Sequence, residues 1–188
     1  MSAGRVRRLE SEYDITARYT YFPLHPETPA EGLPLLELFA GREQAFRDSA
    51  RRLEQLAEEE GLEYGERTHT YNSRLAQELA VAGDMAGVTN ALHDALYHAY
   101  FVAGRNLASP EVLAGVAEEA GLDAELVRET VEGRRYQTTI DEHWQRALGV
   151  GVRGVPTFAV GRTAVVGAQP WEVLVDLMDQ AGVGRRES

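Results

Sequence analysis

Gly151-Val152-Arg153-Gly154-Val155-Pro156-Thr157-Phe158 is the stretch on which the reading of this chain turns. Directly after the proline come two short β-prone runs, 157–160 and 163–166, separated by Gly161-Arg162. A two-residue spacing between such runs predicts a hairpin. Gly167-Ala168-Gln169-Pro170 follows, and Pro170 is placed to open a last helix with Val173, Leu174, Leu177 and Ala181 on its inner side. The C-terminal part therefore reads as proline loop, hairpin and amphipathic helix.

Working outward, residues 134–148 read as an amphipathic helix bearing Tyr136, Ile140, Trp144 and Ala147. Asp123 caps a helix through Glu132, and Ser109-Pro110 opens one that Gly121 ends. Val88, Leu92, Ala95, Ala99 and Val102 form one apolar stripe ending at Gly104. Leu75, Ala76 and Leu79 suggest a helix ending near Gly83. Phe46, Ala50, Leu53 and Ala57 follow a 3.6-residue period, with Gly61 as a left-handed stop and Leu62 packing back. Residues 66–71 read as a short extended piece. At the front, 5–12 reads as a short helix and 15–22 as a strand of β-branched and aromatic residues. Pro23, Pro26, Pro29 and Pro34 punctuate a loop.

Composition narrows the function classes. The 188 residues carry a formal net charge of −11, which argues against a general nucleic-acid binder, since phosphate binding needs a basic face. All 19 basic residues are arginine, so lysine Schiff-base chemistry is excluded. No apolar run reaches membrane-spanning length, so no membrane partner is expected. Basic residues at the start have no apolar segment behind them, and no cysteine is present, which points to the cytoplasm. The five histidines make no metal-ligand spacing, and neither a metal nor another cofactor is expected.

Four stretches, in order, resemble the DsbA superfamily, and within it the FrnE-like branch related to 2-hydroxychromene-2-carboxylate isomerases. They are Phe22-Pro23-Leu24-His25-Pro26-Glu27-Thr28-Pro29; Asn72-Ser73 with Ala76; Leu96-Tyr97-His98-Ala99-Tyr100-Phe101 with Gly104; and the 151–158 loop with Gly167-Ala168-Gln169-Pro170. The resemblance implies an α/β class and a thioredoxin-like fold with a helical insert. It implies residues 1–42 as the N-terminal part of that fold, 43–133 as the insert, and 134–184 as the C-terminal part.

The same resemblance implies a first strand leading into a Cys-x-x-Cys pair at a helix N-terminus, where the dipole lowers a thiol pKa. Matching Leu9, Glu12 and Tyr13 to the family's helix end places both features immediately before Met1. The expectation is a sheet short of its first strand. Five buried apolar residues would contribute about 8–15 kcal/mol, comparable with a domain's whole net stability of about 5–15 kcal/mol. A start upstream of Met1, a strand supplied in trans, and a rearranged sheet all remain open.

The resemblance also assigns the site. Val155, Pro156 and Thr157 are implied to bind substrate, with Val155–Pro156 cis and the Val155 backbone offered to an extended chain. Asn72 and His25 are implied to face the same site, though the residues themselves read Asn72 first as a helix cap. No catalytic residue is assigned. The expected function is membership of the DsbA/FrnE-like thiol-disulfide oxidoreductases, redox-inactive in these residues because no cysteine is present. Two alternatives stand beside it: a glutathione-assisted isomerase, and a non-catalytic peptide-binding or dimerising module. The expected partner is a protein thiol or disulfide, or an extended peptide, with homodimerisation through strand edges.

Overall fold

Ser109 and Asp123 show how local chemistry sets this fold. In the computed structural model, which describes residues 2–186, the Ser109 hydroxyl accepts from Val112 N–H and the Asp123 carboxylate from Glu125 and Leu126 N–H. Each satisfies donors that the first helical turn leaves orphaned. They open α6 (Pro110–Glu119) and α7 (Ala124–Val131).

The chain divides into two units, Met1–Leu24 with His143–Ser188, and His25–Glu142. The first contains α1 (Ser2–Glu12), the hairpin β3 (Thr157–Val160) and β4 (Thr163–Val166), and α9 (Trp171–Gln180). The hairpin register pairs Thr157 with Val166 and Val160 with Thr163. Gly161 turns the loop at φ +59°, a conformation that costs glycine little. Alternation puts Phe158, Val160 and Val165 against a core of Leu9, Tyr13, Leu174, Leu177 and Met178. Ala159, Ala164 and Val166 face outward and are exposed. The guanidinium of Arg8 lies 3.8 Å from the Trp171 ring centre, a cation–π contact between α1 and α9.

Residues 15–22 do not form a strand, which corrects the expectation. Their burial does alternate: Ile15, Ala17, Tyr19 and Tyr21 are half-buried, while Thr16, Arg18 and Thr20 are exposed. A strand also needs a hydrogen-bonding neighbour. Here the Ala17 N–H donates to the Glu10 carboxylate at 2.8 Å, and Tyr21 N–H to His143 Nδ1 at 3.4 Å. Side chains take donors that a ladder would otherwise use.

The second unit is mainly helical: α2 (Leu35–Leu38), α3 (Glu43–Glu59), α4 (Arg74–Ala86), α5 (Thr89–Tyr97), a π-helical turn His98–Val102, then α6 and α7. Helix α8 (Gln137–Gly149) contains the division between the units. Leu79, Leu92, Leu113, Val116 and Ala117 are fully buried at the centre of the second unit's core. A two-residue antiparallel pair, β1 (Leu33–Pro34) with β2 (His69–Thr70), closes its long loop.

Two helix boundaries differ from expectation. Helix α4 runs through Gly83 to Ala86 and stops at Gly87, which is left-handed at φ +77°. Gly83 serves packing instead, because a Cβ there would stand 2.4 Å from Leu92 Cδ2. The stripe 88–102 is α5 followed by the π turn, where Ala103 N–H donates to His98 C=O. Among the described residues, no helix is long and apolar enough to cross a membrane.

Candidate functional site

The loop between α8 and β3 is braced by hydrogen bonds that leave the Val155 backbone unpaired among the described residues. The Thr157 hydroxyl donates to Gly154 C=O at 2.7 Å, closing the turn around Val155 and Pro156. Gly167 N–H donates to Pro156 C=O at 2.8 Å, fixing the loop to the end of β4. Gly167 sits at φ +95°, which favours glycine at this brace. The Gln169 amide donates to Val166 C=O at 2.6 Å, and the Arg5 guanidinium of α1 donates to Gln169 C=O. The Val155–Pro156 peptide bond is cis.

Val155 is one of the loop residues, with Arg153, whose backbone this bracing leaves unpaired among the described residues. Val155 is 48% exposed. Neither its N–H nor its C=O has a hydrogen-bond partner among the described residues. An unpaired donor and acceptor on one part-exposed residue suit an extended chain, which pairs through main-chain groups. The exposed Val166 and Val150 of the same unit add apolar surface. With no cysteine, the site has no thiolate to attack a disulfide.

Asn72 and His25 belong to the other unit, where the fold connects them through one loop. Asn72 Oδ1 accepts from Arg74 N–H at 2.9 Å, although the N-cap position of α4 is Ser73, one residue further on, and has no side-chain cap. Its Nδ2 donates to Pro26 C=O at 3.1 Å and Thr28 C=O at 2.8 Å. His25 is exposed, and its C=O accepts from Thr28 N–H at 3.2 Å. Asn72 thus opens α4 and straps the proline-rich loop at once. Among the described residues, no three His, Asp or Glu side chains are grouped to hold a metal ion.

Sequence reasoning missed the braces Gly154, Gly167 and Gln169. Two of them act through backbone atoms, and the one signal available was the glycine spacing on either side of the hairpin.

Comparison with known proteins gives these features a context. A model of the DSBA-like thioredoxin domain matches residues 2–179. The uncharacterized protein YwbO of Bacillus subtilis is 31% identical over 74 residues, 39% of this chain and 37% of that protein. The match thus spans little more than a third of that curated relative. A probable DsbA oxidoreductase from Streptomyces coelicolor, seen in a crystal structure, is similar with a TM-score of 0.85 and 28% identity. That match covers 96% of this chain and 82% of the other.

Proposed function

Because the chain belongs to the DSBA-like thioredoxin domain family, we propose that it is an FrnE-like relative of the thiol-disulfide oxidoreductases whose residues here bind extended peptide without redox chemistry. The observation that carries this reading is the Val155 backbone, unpaired among the described residues on a loop braced from both sides.

Thiol-disulfide exchange needs a thiolate that attacks one sulfur of a disulfide while the other leaves as a thiolate. These residues supply no such group. What they supply is a docking edge: one donor and one acceptor at Val155, flanked by apolar side chains. The partner we propose is an extended, unfolded segment carrying apolar residues at alternate positions. The same edge admits a second copy of the chain. The compartment we propose is the cytoplasm.

An insulin-reduction assay with dithiothreitol tests the reading together with fluorescence anisotropy of a labelled, cysteine-free apolar peptide. The expected result is saturable peptide binding and a reduction rate equal to that of dithiothreitol alone. Acceleration by the cysteine-free chain, or no peptide binding, would overturn it.

A further inference from the structure

Helix α3 is amphipathic, yet most of its apolar face is not packed away. Phe46, Ala50, Leu53 and Ala57 recur at spacings of four, three and four residues, the seam pattern of a coiled coil. Ala57 is fully buried, but Phe46, Ala50 and Leu53 stay half-buried, and none of them belongs to the core around Leu79, Leu92 and Leu113. Among the described residues, no other helix packs along α3. Beside Phe46 and Ala50 lies an open hollow, lined on its other side by Leu35, Tyr64 and Gly65, so the stripe keeps a free flank.

Charge along α3 says what would cover that flank. From Arg42 at the N-cap to Arg52 stand four arginines against Glu43 and Asp48. From Leu53 to Glu60 at the C-cap stand four glutamates and no cation. This order runs against the helix dipole, which favours acids in the first turn and bases in the last. The helix therefore gains little from it within one chain. Arg51 is engaged by Asp48. Arg47 and Glu54 are exposed, line the hollow, and make no ion pair among the described residues. They stand two helical turns apart on one stripe.

A helix positive at one end and negative at the other matches its own reverse. A parallel copy would set like charge against like, whereas an antiparallel copy sets arginine against glutamate along the whole length. Two-fold symmetry produces that match from a single surface. We propose that the α3 face docks a second copy of this chain. The two α3 helices pair antiparallel about a two-fold axis beside Arg51, with Phe46, Ala50 and Leu53 in the seam. Arg47 then meets Glu54 of the second copy, and the axis repeats the pair. Ala50, small and close to the axis, lets the helices approach. This surface lies in the unit His25–Glu142, whereas the proline loop belongs to the other unit. It does not rest on the peptide-binding reading. A contact between two helices, each about 25 Å long, is at the small end of specific interfaces, so the dimer is a weak one.

Sedimentation velocity of the full chain, from micromolar to millimolar concentration, tests this. The expected result is a monomer–dimer equilibrium. Arg47→Glu alone and Glu54→Arg alone should each raise the dimer dissociation constant about 10-fold or more, because the axis doubles every like-charge contact. The double variant exchanges the pair and keeps the net charge of the unmodified chain, and it should restore dimerisation. Three results would overturn the proposal: a monomer at every concentration, a dimer indifferent to both single reversals, or a double variant that associates no better than the single ones.

Discussion

Arg134 grips Glu78 at two points, Nε to Oε2 at 3.0 Å and Nη2 to Oε1 at 2.7 Å. The Glu78 side chain is fully buried, and Arg74 Nε reaches the same Oε1 at 2.9 Å. Arg74 Nη2 continues to Gln137 C=O at 2.7 Å and Asp141 at 2.8 Å, tying α4 to the start of α8. Arg134 makes this grip from φ +53°, a left-handed conformation unusual outside glycine. The hydrogen bond to Glu78 holds the Arg134 guanidinium above the ordinary arginine pKa.

Removing both cations should leave Glu78 as an unpaired buried charge. We expect Arg74→Met with Arg134→Met to cost about 3–5 kcal/mol in urea unfolding, and either single change clearly less. Arg134→Gly should be milder than Arg134→Ala by about 1 kcal/mol, because glycine tolerates the left-handed backbone. Equal losses for Gly and Ala would contradict the backbone argument.

Gly65 and Gly83 both face close neighbours, but of different kinds. A Cβ at Gly65 meets backbone, Val102 O at 2.2 Å, whereas at Gly83 it meets the movable end of Leu92. Gly65→Ala should therefore destabilise by about 1–3 kcal/mol. Gly83→Ala should cost less, since the helix gains about 1 kcal/mol from alanine. Thermal unfolding of the two variants decides the order.

Asn72 combines an acceptor for the first N–H of α4 with two strap donors. Asn72→Asp keeps the acceptor for Arg74 N–H but sets carboxylate oxygen against the Pro26 and Thr28 carbonyls. We expect Asp to fail to rescue, with a loss of about 1–3 kcal/mol, similar to Asn72→Ala. Full stability in Asn72→Asp would mean that capping alone matters.

Four carboxyls of the second unit are held below their ordinary pKa. Glu43 is lowered mainly by the Gly41 N–H, Asp48 by Arg51, Glu111 by the Ser109 hydroxyl, and Glu125 by Arg128. Each binds its proton less readily folded than unfolded. Their stabilisation is complete above the ordinary carboxylate range and drains away as pH falls through it. The melting temperature should fall on acidification through that range, less steeply in high salt. A melting temperature that rises on acidification would contradict this.

The features legible in the sequence are those fixed within a few residues. Ser109, Asp123 and the Gly161-Arg162 turn announce themselves because cap and turn chemistry act locally. Residues 15–22 misled because alternation reports burial, whereas a strand requires a neighbour that alternation cannot supply. Gly83 misled because a packing glycine and a stop glycine look alike until Leu92 is placed beside one of them. The hydrogen bond from Arg67 Nη1 to the Tyr100 hydroxyl was hidden because it joins residues more than 30 positions apart. The proline loop was legible as a motif, while its braces, Gly167 to Pro156 above all, emerged only from the folded hairpin.

The most direct test of the account follows the Val155 amide in ¹⁵N–¹H spectra while an unfolded, fully carboxymethylated polypeptide is added. The account predicts that the Val155 N–H moves with the binding curve and becomes protected from solvent exchange at saturation. Saturable binding that leaves the Val155 N–H unmoved and unprotected would contradict it.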